Sequence, residues 1–206
     1  MSIRIKTYPY GPLGSNMYAL ISEKGYIIVD PSVSPSLSAL SGAPEAIFIT
    51  HGHYDHFAEL AEWLKLYPDI PVYLHTDDMN RLSAPEANCS GDFGMPFAVH
   101  AKTLPAESLV NAKFLDGEIT VDVIHTPGHC EGQVLFIVDD GEDKYMFSGD
   151  MLFRGSIGRT DLSGGDMRKM QESIDLIKSF DYDYRIFPGH GMQSRLSFEK
   201  ENNPFF

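Results

Sequence analysis

The chain has 206 residues, 43% of them hydrophobic, and a formal net charge of −13. That length and composition can bury a real core. No run approaches the roughly eighteen apolar residues of a membrane span, and an acidic chain with no basic stripe should repel nucleic acid.

Residues 1–6 alternate like an edge strand and lack the apolar core of a signal peptide, so a soluble cytoplasmic protein is expected. Residues 27–29 read as a strand that ends at Asp30, before Pro31. Asp30 is either an acceptor behind the loop that follows residues 46–50 or a turn residue. Residues 46–50 form a short, apolar, β-favouring run that reads as a buried strand.

His51, His53, Asp55 and His56 follow within six positions, a density that packing does not explain. In an extended stretch, residues two apart point the same way, so His51 and His53 can grip one ion. As the chain turns into the next helix, Asp55 and His56 are redirected and can grip a second. Gly52 lets the loop bend beside the ions. Imidazole and carboxylate ligands suit Zn²⁺, and also Fe or Mn.

Residues 57–66 read as an amphipathic helix with Phe57, Leu60, Ala61 and Leu64 on its apolar face, and Trp63 as packing. His75, His100 and His125 fall outside the ligand spacing and read as structural. Residues 82–101, rich in Pro, Gly, Asn and Ser, read as a surface excursion and a candidate substrate-contacting loop. A strand over 121–124 leads to Thr126-Pro127-Gly128-His129, a strand over 146–149 to Asp150, and a strand over 185–187 to Pro188-Gly189-His190. Each time a strand ends and a ligand type follows at its mouth, where layered folds place chemistry. Cys89 and Cys130 give no disulfide framework, and Cys130 reads as a buried bystander. Residues 167–180 read as a helix with Asp166 as N-cap. The strand-loop-ligand pattern recurs in both halves. It fits two β-plus-α halves packed face to face, an αββα sandwich, with 1–206 as a single domain.

The set His51, His53, Asp55, His56, then His129, Asp150 and His190, resembles the metallo-β-lactamase superfamily. The resemblance runs from Asn16 to the final Asn203-Pro204-Phe205. Within the superfamily the chain is most similar to short, single-domain relatives of glyoxalase II (hydroxyacylglutathione hydrolase). The carrying segments are 126–129, 147–150, 155–161 and 188–191.

The resemblance implies an α/β fold of four layers and two divalent metal ions, Zn first, with Fe or Mn as alternatives. One would sit at His51, His53 and His129, the other at Asp55, His56 and His190, with Asp150 bridging. Asp55 would also be catalytic, orienting a metal-bound hydroxide. The implied activity is hydrolysis of a small thioester or related ester. Arg159 stands where glyoxalase II has a cationic residue. It either meets a substrate carboxylate or braces Asp161, and bracing is preferred.

Several positions depart from the relatives. Asp150 stands where zinc β-lactamases of the main subclass place Cys, which argues against antibiotic hydrolysis. The chain stops soon after His190, and Asp161 and Met192 stand where glutathione-pocket aromatics are expected, so few glutathione contacts are expected. The alternative is a persulfide dioxygenase with one iron, which shares Gly158-Arg159-Thr160-Asp161 but departs at Pro188-Gly189-His190-Gly191.

Overall fold

The computed structural model describes residues 3–206; Met1 and Ser2 of the alternating start lie outside the described residues. In the first sheet, β1 (Arg4–Tyr8), β2 (Met17–Ile21) and β3 (Tyr26–Val29) run antiparallel. After α1 (Pro35–Ser38), β4 (Ile47–Phe48) joins β3 in parallel. α2 (Leu60–Leu66) then crosses to β5 (Val72–Leu74), and β6 (Leu104–Pro105) closes the sheet, both parallel.

The second sheet starts with β7 (Ala112–Phe114), β8 (Ile119–His125), β9 (Val134–Asp139) and β10 (Lys144–Gly149), all antiparallel in sequence. A small hairpin follows, β11 (Leu152–Phe153) and β12 (Ser156–Ile157). After α3 (Met167–Lys178), β13 (Arg185–Pro188) lies parallel to β10, and β14 (Ser194–Arg195) leads into α4 (Leu196–Asn202).

Period-two alternation builds the layers. Tyr18, Leu20, Ile27, Val29 and Phe48 face the second sheet and meet Val121, Phe136, Val138, Phe147 and Phe187 in the central core. Phe48 stacks on Phe136 with ring centroids 4.9 Å apart. The intervening residues Met17, Ala19, Ile28 and Ile47 face outward and are covered by Leu60 and Trp63 of α2. On the far side, Met170, Ile174 and Ile177 of α3 and Leu196 of α4 cover Leu135, Met146 and Ile186. The result is the expected αββα order of four layers.

Local differences from the sequence reading have plain causes. α2 starts at Leu60 rather than 57, because Tyr54–His56 forms its own tight 3₁₀ turn. Ala61 is exposed; Trp63 takes its place on the buried face, its indole N–H donating to Val33 O at 2.9 Å. α3 ends at Lys178, and Asp166 caps it as expected, accepting from the Arg168 and Lys169 amides. Among the described residues, no helix is long and apolar enough to cross a membrane.

Topology puts the ligand loops together. Two antiparallel steps, β8 to β9 to β10, restore direction, so β8 and β10 end on the same edge. β13 is parallel to β10. His129, Asp150 and His190 therefore emerge side by side, and the Gly189 amide donates to Gly149 O at 2.8 Å. The two sheets are tied at this edge by the Val134 amide on Thr50 O (3.0 Å) and the Tyr18 hydroxyl on Pro188 O (2.6 Å).

Candidate metal centre

The seven candidate ligands converge. His51, His53 and His129 offer ligand atoms within 4.8 Å of one another, and so do Asp55, His56 and His190. Asp150 lies between the sets, its Oδ1 at 3.3 Å from His56 Nε2 and its Oδ2 at 3.5 Å from both His129 Nε2 and His190 Nε2. Asp55 Oδ2 approaches His190 Nε2 at 3.2 Å and His56 Nε2 at 3.5 Å.

Three of the imidazoles, His51, His56 and His129, are aimed by a partner behind them. Asp30 accepts from the Thr50 amide (2.7 Å), from Thr50 Oγ1 (2.8 Å) and from His56 Nδ1 (2.9 Å). Because the Thr50 hydroxyl donates its proton to Asp30, it accepts from His51 Nδ1 at 3.1 Å. One buried carboxylate thus sets the tautomer of two rings and leaves both Nε2 atoms with lone pairs. Of the two readings of Asp30, the acceptor one holds. His129 Nδ1 donates to Arg159 O at 2.8 Å, leaving its Nε2 facing His53 Nδ1 at 2.9 Å. His51 Nε2, His56 Nε2 and Asp150 Oδ1 are buried with no hydrogen-bond partner. Buried lone pairs without donors are costly; a cation among them would satisfy all three. The donor set therefore fits divalent metal ions.

Electrostatics agree. Burial, and then the neighbouring imidazoles, hold His51 and His53 well below the ordinary histidine value, which suits neutral donors to a metal. Burial also opposes charge on His56, yet Asp55, Asp150 and Asp30 outweigh it and push this ring well above the ordinary value. Burial works to raise Asp150, but His56, His129 and His190 hold it below the usual carboxylate range. The three carboxylates that favour positive charge at His56 would equally favour a cation beside it.

Four supporting residues were not legible in the sequence. Asp78, fully buried, accepts from the Gly52 amide (2.7 Å), the Gly132 amide (2.8 Å) and Cys130 Sγ (3.1 Å), and pairs with Arg81 Nε (3.0 Å). It ties the loop of His51 and His53 to the loop of His129. Ser15 Oγ donates to Asp55 O at 2.8 Å, and the Asn16 amide donates to Gly189 O at 2.7 Å, holding the loops of Asp55 and His190. Glu199, also fully buried, accepts from the Gly155 amide and Asn203 Nδ2, each at 2.8 Å, and from Ser194 Oγ. It fastens α4 to the β11–β12 hairpin. Asp78, Ser15 and Asn16 lie far in sequence from the loops they hold, so no spacing rule finds them. At Gly189 a Cβ would stand 2.6 Å from His56 Cε1, so only glycine fits this close approach.

A cavity of about 380 Å³ opens over the ligands, walled by Leu13, Phe93, Phe153, Ile157 and Leu162. The 82–101 excursion does reach it, through Cys89 and Phe93. Arg159 also lines it, but its guanidinium grips Asp161 through two bonds of 2.6 and 2.7 Å, the bracing arrangement. Cys130 is fully buried away from this wall. His75 and His125 stack on each other with centroids 4.1 Å apart, and His100 is exposed.

With this fold and this ligand set in place, the match of the metallo-beta-lactamase superfamily profile to residues 10–190 shows that the chain belongs to that superfamily. It is 35% identical to the "Probable metallo-hydrolase YqgX" of Bacillus subtilis (strain 168), over 96% of this chain and 94% of that one. Among solved structures, the BLEG-1 B3 metallo-beta-lactamase superposes with a TM-score of 0.84 at 35% identity, covering 98% of this chain and 99% of its own. TTHA1623 in a di-iron-bound form superposes at 0.76 with 30% identity, covering 98% and 100%. The chain is thus a metallo-hydrolase-type member of the superfamily.

Proposed function

We propose that the protein is a dinuclear metallohydrolase of small thioesters or related esters, in the manner of glyoxalase II but with weak dependence on glutathione. The observation that carries this reading is the presence of two ligand groups that meet at Asp150 on a cavity floor. His51, His53 and His129 would hold one ion, and Asp55, His56 and His190 the other. Divalent cations there would acidify a water and polarise a carbonyl. Asp55 lines the cavity as well as the second group. It would orient the attacking water and receive its proton on the carboxylate. Asp30 and the Arg159 carbonyl would keep His51, His56 and His129 in the ligating tautomer. The Phe93 and Leu162 side of the wall would limit access of bulk water. Zinc suits this donor set, and the di-iron form of TTHA1623 makes iron the second choice.

The persulfide dioxygenase alternative needs one iron held by two His and one Asp, and leaves four of the seven candidate ligands, Asp55, His56 and His190 among them, without a purpose. Hydrolysis of β-lactams is a second reading, favoured by the 35% identity to a protein named as a B3 metallo-beta-lactamase. Metal analysis of natively purified protein, run with thioester-cleavage, oxygen-uptake and β-lactam assays, separates the three. One metal per chain with oxygen consumption on a persulfide would overturn the hydrolase. β-Lactam cleavage without thioester cleavage would replace the substrate class.

A further inference from the structure

We infer that the cavity above the ligands is an acyl pocket for an uncharged, apolar acyl group of medium length; this rests on the proposed ester or thioester hydrolysis. The wall supplies five apolar side chains, Leu13, Phe93, Phe153, Ile157 and Leu162, directly over the ligand cluster. Its only arginine or lysine among the described residues is Arg159, already neutralised by Asp161. A carboxylate on the substrate would find no free counter-charge there, and the chain's net charge of −13 would disfavour it further. Biological thiol carriers are polar and often anionic. With the carbonyl at the ligands, the apolar part that this wall can desolvate is the acyl side, and the carrier lies toward the mouth.

Leu13 gives an independent argument. It is 57% exposed and held at φ +56°, in the left-handed region that bulky side chains avoid. It gains neither burial nor backbone relaxation from being leucine. Phe93, 47% exposed, lines the same cavity. Two large apolar side chains kept in water on the cavity wall, one of them in a disfavoured backbone conformation, fit a wall completed by a ligand.

The test uses the full-length, metal-loaded protein and two series of probes. Acyl N-acetylcysteamine thioesters from acetyl to decanoyl should show kcat/KM rising about fourfold per added methylene until the pocket is filled. The matching free carboxylates, acetate to decanoate, should bind with affinity rising in the same way, followed by calorimetry or ligand-observed NMR. Phe93→Ala should reduce the increment per methylene in both series. Leu13→Gly should do the same while leaving the melting temperature equal or higher, which a merely structural leucine would not allow. A flat dependence on chain length in both series overturns the acyl pocket. So does a preference for S-lactoylglutathione that Arg159→Ala abolishes. If no thioester is cleaved but carboxylate affinity climbs with length, the hydrolase reading fails and the pocket stands. If thioesters are cleaved with no length dependence, the pocket fails and the hydrolase reading stands.

Discussion

Replacing Asp78 should loosen one half of the metal centre and spare the other. Its carboxylate accepts from the amides of Gly52 and Gly132 and pairs with Arg81, all in a buried setting. Asp78→Ala orphans two buried N–H groups, each costing about 1–3 kcal/mol. It also breaks a buried ion pair, for which about 3–5 kcal/mol is usual. These contributions overlap, and Arg81 keeps its contacts to Glu131, Ala87 O and Ser163 O. A net loss of about 4–6 kcal/mol follows, a large part of the roughly 5–15 kcal/mol that holds a domain folded. Asp78→Asn keeps one acceptor oxygen and should lose about 2–3 kcal/mol, which leaves a folded protein to titrate. In that variant the loops of His51, His53 and His129 lose their common anchor, whereas Asp55, His56 and His190 are held through Asp30, Ser15 and Asn16. Loss of such an outer partner weakens metal affinity by about 10- to 100-fold, here for one equivalent of two. Urea unfolding gives the stability change, and competition with a zinc chelator resolves the two equivalents. Equal weakening of both equivalents, or wild-type affinity at both in a destabilised Asp78→Asn, would refute the division of labour.

Saturation with Zn²⁺ or Mn²⁺ should approach two equivalents by elemental analysis, and Asp150→Ala should lower occupancy of both where Asp55→Ala lowers mainly one. Full occupancy of both in the Asp150 variant would remove its bridging position. Glu199→Ala should cost about 2–4 kcal/mol by orphaning buried donors and raise KM more than it lowers kcat, since the hairpin it fastens carries Phe153 and Ile157; an unchanged KM in a destabilised variant would confine it to folding. Asp140 accepts from the Ile3, Glu142 and Asp143 amides and the Tyr145 hydroxyl. Burial works to raise its pKa, but these donors outweigh it and lower it from 3.8. A depressed carboxylate stabilises fully above its unfolded value and loses that contribution as pH falls through the folded one. Asp140→Asn should therefore be less stable than wild type at neutral pH, with the gap closing below about pH 4; a gap constant with pH in denaturant unfolding would rule this out.

The sequence alone determined what depends on local spacing and periodicity. Alternation marked the strands, and the three-and-four rhythm with Asp166 ahead of it marked α3. The density of His51, His53, Asp55 and His56 marked the metal loop, because ligand type and spacing are written directly in residues a few positions apart. His129, Asp150 and His190 were legible because each follows a strand and a glycine. Tertiary structure alone decided what depends on distant partners. Asp30 allows two readings in the sequence, and Asp78 carries no signal there at all. Each becomes an anchor because β3 lies beside β4, and because the Thr76–Ser83 helical turn packs under the glycines of two ligand loops. Arg159 could have faced a substrate or Asp161, and the loop geometry gave it to Asp161. The apolar wall joins Leu13, Phe93, Phe153 and Leu162 from four separate segments. No period links them, since a cavity forms where the chain crossings bring its walls together.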